Sequence, residues 1–141
     1  MDAFDADVLI YAAVDDHPLG RRVRMLFPTG PTTSTGAVAG TGSVLLIPEL
    51  LTKPMRIGAS DELVALGSLL ARLDLRPTDE ATAELATALG ARYGLRAADA
   101  VHLATAVAVG ADRFITNNRS DFPTTIEEVD IVYPDELDDP A

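Results

Sequence analysis

A chain of 141 residues with 48% hydrophobic side chains, 22 acids and 11 bases is long enough to bury one core and too apolar to be disordered. It has no cysteine, which excludes disulfides and thiolate metal sites. Its formal charge of −11 weighs against a bare nucleic-acid-binding surface, because phosphate contacts want a positive one.

That charge is unevenly spread. All the basic residues lie at or before Arg119, and Glu127, Glu128, Asp130, Asp135, Glu136, Asp138 and Asp139 form an acidic tail over 127–141. With the tail set aside, the body is much closer to neutral, and every base but Lys53 is arginine, the better phosphate fork. The acidity therefore points to a cation-filled site or a basic protein partner and counts only weakly against RNA. A single domain over 1–141 is expected. The acidic start, where a secretory signal would be basic, and the absence of any apolar run near the ~18 residues of a membrane span give no membrane segment and a cytoplasmic location as the expectation.

Residues 4–11, Phe-Asp-Ala-Asp-Val-Leu-Ile-Tyr, read as a short strand ending near Asp5, with Asp7 as the N-cap of a first helix. Ligands of an open parallel sheet bind beyond the carboxyl ends of its strands, so Asp5 is a candidate functional acid. Asp16-His17-Pro18 opens a second helix, with Asp16 or His17 ahead of the proline and the helix running over 19–27. Arg21, Arg22 and Arg24 make this the most basic patch, either a solvated face or phosphate contacts at the mouth of a site. Residues 28–42 are rich in Pro, Thr and Gly and read as a loop, the one candidate mobile segment, with a short strand near 36–40.

Residues 43–53 are either a strand ending at Ile47 or a helix kinked at Pro48, and periodicity does not choose between them. In both, Glu49 is one acid in an apolar run, costly to bury without a partner. Ser60 is expected to cap a helix over 61–72, residues 73–76 to form a strand, and Thr78 to cap a helix over 79–93 closed by Gly94.

The segment 97–109 is apolar at nearly every position, which suits a helix buried on most sides, with Asp99 in its first turn and Gly110 at its C-cap. Taken alone, Asp99 could simply complement the positive helix start, an effect of roughly 0.3–1 kcal/mol. Residues 113–116 read as a strand running into the polar loop 117–121, where Asp121 is a loop acid, a cap or a site residue; 130–133 read as the last strand. This order implies an α/β domain with a mostly parallel sheet.

Four spaced acids result: Asp5, Glu49, Asp99 and Asp121. Gathered within a few ångströms they would repel, and a hard cation resolves the repulsion. All-oxygen ligation suits Mg²⁺ or Mn²⁺, and a pair of such ions is a common device for attack of water on a phosphodiester.

With Asp5-Ala-Asp-Val-Leu-Ile, Pro48-Glu49-Leu-Leu, Ala98-Asp99-Ala-Val-His-Leu-Ala-Thr-Ala and Phe114-Ile-Thr-Asn-Asn-Arg-Ser-Asp-Phe122 in this order, the chain resembles PIN-domain ribonucleases, and among them the VapC-type toxins of bacterial toxin–antitoxin pairs. The resemblance runs nearly end to end. It implies a three-layer α/β/α domain in which Asp5, Glu49, Asp99 and a fourth polar residue hold Mg²⁺ and activate water against RNA. It also implies a homodimer and a small antitoxin whose basic residues neutralise the site. Asp7 stands where the family usually has Asn, Ser or Thr. Asn118 stands where many members have an acid directly after Thr-Asn, but a variant spelling with Asn there and Asp three residues later matches Asn118 and Asp121, so the fourth ligand lies between these two. Thr116 and His102 are candidate supporting residues; His102 could instead serve as a general base. Arg21, Arg22, Arg24, Arg96 and Arg119 are candidate RNA contacts.

Two rivals remain. Phe4-Asp-Ala-Asp-Val-Leu also looks like the opening Asp-x-Asp motif of haloacid-dehalogenase phosphatases, with Asp5 as nucleophile, though that class needs a lysine and a later paired-acid loop, and here the only lysine is Lys53 and the loop 117–121 has a single acid. The other is a non-catalytic module of the same fold that binds a basic partner through its acids.

Overall fold

The computed structural model describes residues 1–27 and 38–140. Much of the loop expected over 28–42, including the start of its short strand, lies outside the described residues.

Strands β1 (Asp2–Phe4), β2 (Gly40–Ser43), β3 (Leu73–Arg76), β4 (Arg113–Ile115) and β5 (Asp130–Val132) form one sheet in the order β3-β2-β1-β4-β5. Every pairing is parallel, with Ala3 opposite Thr41 on one side and Phe114 on the other. Between the strands run helices α1 (Ala6–Ala12) and α2 (Pro18–Arg24), α3 (Leu46–Ile57) and α4 (Ser60–Leu70), then α5 (Glu80–Tyr93) and α6 (Ala97–Ala108). The chain steps outward from β1 to β3, then returns to the other side of β1 with β4. The strand order therefore reverses between β1 and β4, and a crevice opens beyond their carboxyl ends.

Side chains alternate across a strand, and the buried residues sort accordingly. Ala3 and Phe114 enter a core with Leu89, Ala100, Leu103 and Phe122, while Phe4 and Ile115 enter another with Val8, Leu9, Leu46, Leu50 and Leu66. Helices α5 and α6 thus cover one face and α1 to α4 the other, in three layers. Among the described residues no helix is long and apolar enough to cross a membrane.

Several local expectations need correction. The first helix is capped by Asp5, whose side chain accepts from the Ala6 N–H, and Asp7 sits inside its first turn. Of Asp16 and His17, it is His17 that caps α2, its Nδ1 accepting from the N–H groups of Leu19 and Gly20 at 3.1 and 3.2 Å. Residues 43–53 are neither of the drawn alternatives: β2 ends at Ser43 and α3 begins at Leu46. Pro48 falls in the first turn of α3, where a missing N–H costs nothing, and the proline within the helix is Pro54. Ser60 lies inside α4, whose N-cap Ala59 makes no side-chain bond. Asp79, not Thr78, caps α5 by accepting from the Thr82 N–H at 2.8 Å. Gly94 closes that helix at φ 67°, as its sequence position suggests.

The acidic tail packs onto the fold. After β5 it makes a 3₁₀ turn at Pro134–Glu136 and buries Tyr133 and Leu137. Arg22 ties it down, its Nη1 donating to the carbonyl oxygens of Asp135 at 3.2 Å and Leu137 at 2.6 Å.

Helices α1 and α2 cross so closely that a Cβ on Gly20 would lie 2.0 Å from the Tyr11 carbonyl oxygen, whereas one on Gly67 of α4 would meet nothing within 4 Å. Gly20→Ala should therefore lose about 1–3 kcal/mol, and Gly67→Ala should gain up to about 1 kcal/mol from helix propensity. Urea denaturation of both variants checks the contrast; equal effects would mean that α1 and α2 separate at no cost.

Candidate active site

Asp5 follows directly on β1 and is 6% exposed. Its N–H donates to the Ile115 carbonyl at 2.9 Å, its Oδ1 caps α1, and its Oδ2 accepts from Thr116 Oγ1 at 2.8 Å. Burial pushes its pKa up, the Thr116 bond, the His102 charge and the Ala6 N–H pull it back, and Glu49 adds to the rise, leaving it raised overall.

The first turn of α1 brings Asp7 beside it. Asp7 Oδ2 accepts from the Asn117 N–H at 3.0 Å, while its Oδ1 is buried without a hydrogen-bond partner among the described residues. Burial first, and then the charge of Asp5, raise the Asp7 pKa to about 7.

Helix α6 supplies Asp99 from its first turn and His102 one turn on, on the same face. Asp99 is part-exposed, and its pKa is raised by burial and then by the charges of Asp5, Asp121 and Glu49, against the pull of His102. His102 is buried, and its Nε2 lies 3.0 Å from Glu49 Oε1 in the first turn of α3. Burial alone would lower the imidazole pKa, but the bond to Glu49 and the charges of Glu49, Asp5 and Asp99 outweigh it and hold the pKa above its ordinary value. Its Nδ1 is buried with no partner among the described residues. Such an imidazole, engaged with a carboxylate, is placed to orient Glu49 rather than to take a proton from water.

After β4 the loop folds on Asn118. Its Oδ1 accepts from Ser120 Oγ at 3.1 Å and from the Asp121 N–H at 3.3 Å, and its Nδ2 donates to Asp121 Oδ2 at 2.8 Å. Asn118 thus spends its amide on holding the turn, and Asp121 keeps the carboxylate whose charge reaches Asp99.

The structure therefore brings Asp5, Asp7, Glu49, Asp99, His102, Thr116, Asn118 and Asp121 to one end of the sheet. The arginines fare differently. Arg24 donates to the carbonyls of Ala12, Val14 and Asp15, Arg22 holds the tail, and Arg119 pairs with Asp135 at 2.7 Å with its guanidinium 4.1 Å from the Tyr133 ring centre. Arg21 and Arg96 are exposed, and Arg96 makes no capping bond at the start of α6. Two residues escaped the sequence reading: Asn117, whose backbone holds Asp7, and Tyr11, whose hydroxyl accepts from Asn117 Nδ2 at 3.3 Å and whose ring stacks on His17. The Thr-Asn pair at a strand end was their one signal. An apolar groove between α5 and α6 holds none of the acids.

The donor set suits a hard divalent cation: it is all oxygen, the charges of neighbouring acids add to the raised pKa values of Asp5, Asp7 and Asp99, and Asp7 Oδ1 lacks a partner among the described residues. Among the described residues no three acidic or histidine side chains stand at the spacing of a complete ligand shell, since Glu49 is turned to His102 and Asp5 to Thr116.

A family model described as the PIN domain matches residues 3–125. Among solved structures, a chain of a toxin-antitoxin complex from Klebsiella pneumoniae superposes with a TM-score of 0.73 at 22% identity, covering 95% of this chain and 98% of that one. No curated protein matches the sequence.

Because Asp7 holds its proton more tightly folded than unfolded, with a pKa of about 7 against 3.8, it favours the folded state at low pH. That contribution is full below the unfolded value and is lost as pH rises toward 7. In chelator, Asp7→Asn should raise the melting temperature at pH 8 and by much less at pH 4. Thermal melts at the two pH values check this, and equal shifts at both would refute the assignment.

Proposed function

The chain belongs to the PIN domain family, and on that premise we propose that it is a divalent-metal-dependent endoribonuclease of the VapC toxin type, restrained by a small antitoxin with basic residues. The observation that carries the reading is the gathering of Asp5, Glu49, Asp99 and Asp121 where the strand order reverses, with Asp5 buried, Asp99 and Asp121 half-buried, and the exposed Glu49 held by the buried His102. Family membership also sets aside the phosphatase reading, in which Asp5 is a nucleophile; Lys53 lies exposed on α3.

Asp5, Glu49, Asp99 and Asp121 would hold Mg²⁺ or Mn²⁺. When bound, such a cation offsets the carboxylate charge and polarises a phosphodiester and the attacking water. Thr116 and the Ala6 N–H fix Asp5 in one rotamer, and His102 fixes Glu49 from the opposite layer of the fold. Asp7 holds the backbone of Asn117 and so the entry of the loop that carries Asp121. Asn118 shapes that loop, which favours Asp121 over Asn118 as the fourth ligand.

Chelation should abolish RNA cleavage and Mg²⁺ or Mn²⁺ restore it, whereas full cleavage in excess chelator would overturn the reading. Asp5→Asn, Glu49→Gln and Asp99→Asn should each lower kcat by ~10²-fold or more, and the triple change little further. Asp121→Asn should weaken metal binding and cleavage more than Asn118→Ala; the reverse ranking would hand the ligand role to Asn118.

The antitoxin part has separate support: the superposable chain comes from a toxin-antitoxin complex, and the charge of −11 suits a basic partner. Expression of the chain alone, in the cytoplasm and as a homodimer by sizing, should slow growth, and a small basic protein should restore growth and co-purify. Normal growth with an active nuclease would remove the toxin claim and leave the enzyme.

A further inference from the structure

Asp121 stands on a loop without regular structure, so something other than a helix or strand must hold its carboxylate in place. The turn around Asn118 shapes the loop internally, and its backbone carbonyl also accepts from the Phe122 N–H at 2.9 Å. What joins this small unit to the sheet lies further along the chain. The Phe122 ring is buried against Phe114 at 5.0 Å, and the Phe122 carbonyl accepts from Tyr133 Oη at 2.8 Å in a buried bond.

Tyr133 follows β5 directly. Its own N–H donates to Glu136 Oε1 at 2.9 Å, which locks it to the 3₁₀ turn. Its ring carries the Arg119 guanidinium at 4.1 Å, and Asp135 from the same turn holds that guanidinium at 2.7 Å. One aromatic side chain therefore grips the loop on both sides of Asp121, by a cation–π contact at Arg119 and by a hydrogen bond at Phe122. The residue following Phe122 is a proline, so this part of the loop has one fewer N–H with which to anchor itself.

We infer that Tyr133 is the positioning residue for Asp121, and that the acidic tail acts as a brace which sets the geometry of the site by way of Arg119. The inference rests on the proposed role of Asp121 as a metal ligand. It assigns Arg119 and Asp135 to the brace instead of to substrate. Tyr133 also lies beyond the residues matched by the family model, at the end of the stretch that reads as the last strand.

Tyr133→Phe keeps the buried ring and removes only the donor. A purely structural tyrosine would lower the melting temperature and leave metal affinity at 20 °C unchanged. The brace instead requires Mn²⁺ affinity, measured by calorimetry, to fall on the order of 10-fold, and the fall to vanish when Asp121 is already Asn. It also requires faster hydrogen exchange at the Asp121 and Phe122 amides in chelator. Arg119→Met, which leaves the Tyr133 hydroxyl in place, should speed the same exchange to a smaller extent and serves if Tyr133→Phe does not fold. Unchanged affinity, an equal loss in the Asp121→Asn background, or unchanged exchange would each overturn the brace. If the parent binds no Mn²⁺ at all, the nuclease reading fails on its own account, and amide exchange in the two variants still decides whether Tyr133 holds the loop.

Discussion

Asp5 is the point on which the rest of the structure turns, because three elements end on its polar atoms. Its N–H continues the ladder to β4, one carboxylate oxygen starts α1, and the other takes the Thr116 hydroxyl at the end of β4. A capping carboxylate contributes about 0.5–2 kcal/mol to a helix, but here it does so at 6% exposure with other acids nearby. Burial of a charge opposes folding as the cap assists it, and the raised pKa is the sign of that conflict. Asparagine is as good a cap as aspartate, so helix initiation alone gives no reason for a charge at this position. The carboxylate has to be explained by what it does at the mouth of the crevice.

The same logic reaches across the sheet. Glu49 belongs to α3 on one face and His102 to α6 on the other, and their contact closes the end of the sheet where the two layers meet. In the core a histidine is ordinarily satisfied at both nitrogens; here Nδ1 has no partner among the described residues. An unsatisfied buried nitrogen is costly, and the bond to Glu49 offsets it by fixing an acid that would otherwise point freely into the crevice. Taken with Thr116 at Asp5 and Asn118 at Asp121, three of the four site acids each have a neutral or cationic side chain that sets their orientation.

Much of this could be read in the sequence. The nearly continuous apolar run before Gly110 gave α6 to within a residue, and Glu49 stood out as an acid among apolar neighbours. Other features depended on one-residue differences that periodicity does not resolve. Whether Asp5 or Asp7 caps α1 follows from where β1 stops, and β1 stops at Phe4 because Asp5 has turned its side chain onto Ala6. Residues 43–53 were ambiguous because an apolar run fits a buried strand and a buried helix alike; the short β2 leaves room for α3 to start before Pro48. Tertiary claims on side chains were the least legible. Nothing near Arg22 in the chain indicates that carbonyl groups more than a hundred residues away will take its guanidinium.

Those claims change what the net charge means. Arg22, Arg24, Arg92, Arg113 and Arg119 are each engaged by acids or carbonyls of the chain itself, so the arginines do not add up to a phosphate-binding face. The acids divide as well: tail acids such as Asp135 neutralise bases within the fold, while the charge of Asp5 adds to the proton affinity that burial gives Asp7 and Asp99. On the proposed reading, attraction for a phosphodiester then comes chiefly from a cation held by the site acids, with the surface adding little long-range steering. A basic antitoxin and the divalent cation would answer the same electrostatic need, since either relieves the repulsion that the fold concentrates at the crevice. Restraint and catalysis would compete for one set of carboxylates, and the tail that makes the chain look most acidic would serve neither directly, because Asp135 braces the loop through Arg119 while Glu127, Glu128 and Asp139 pair with Arg92 and Arg22.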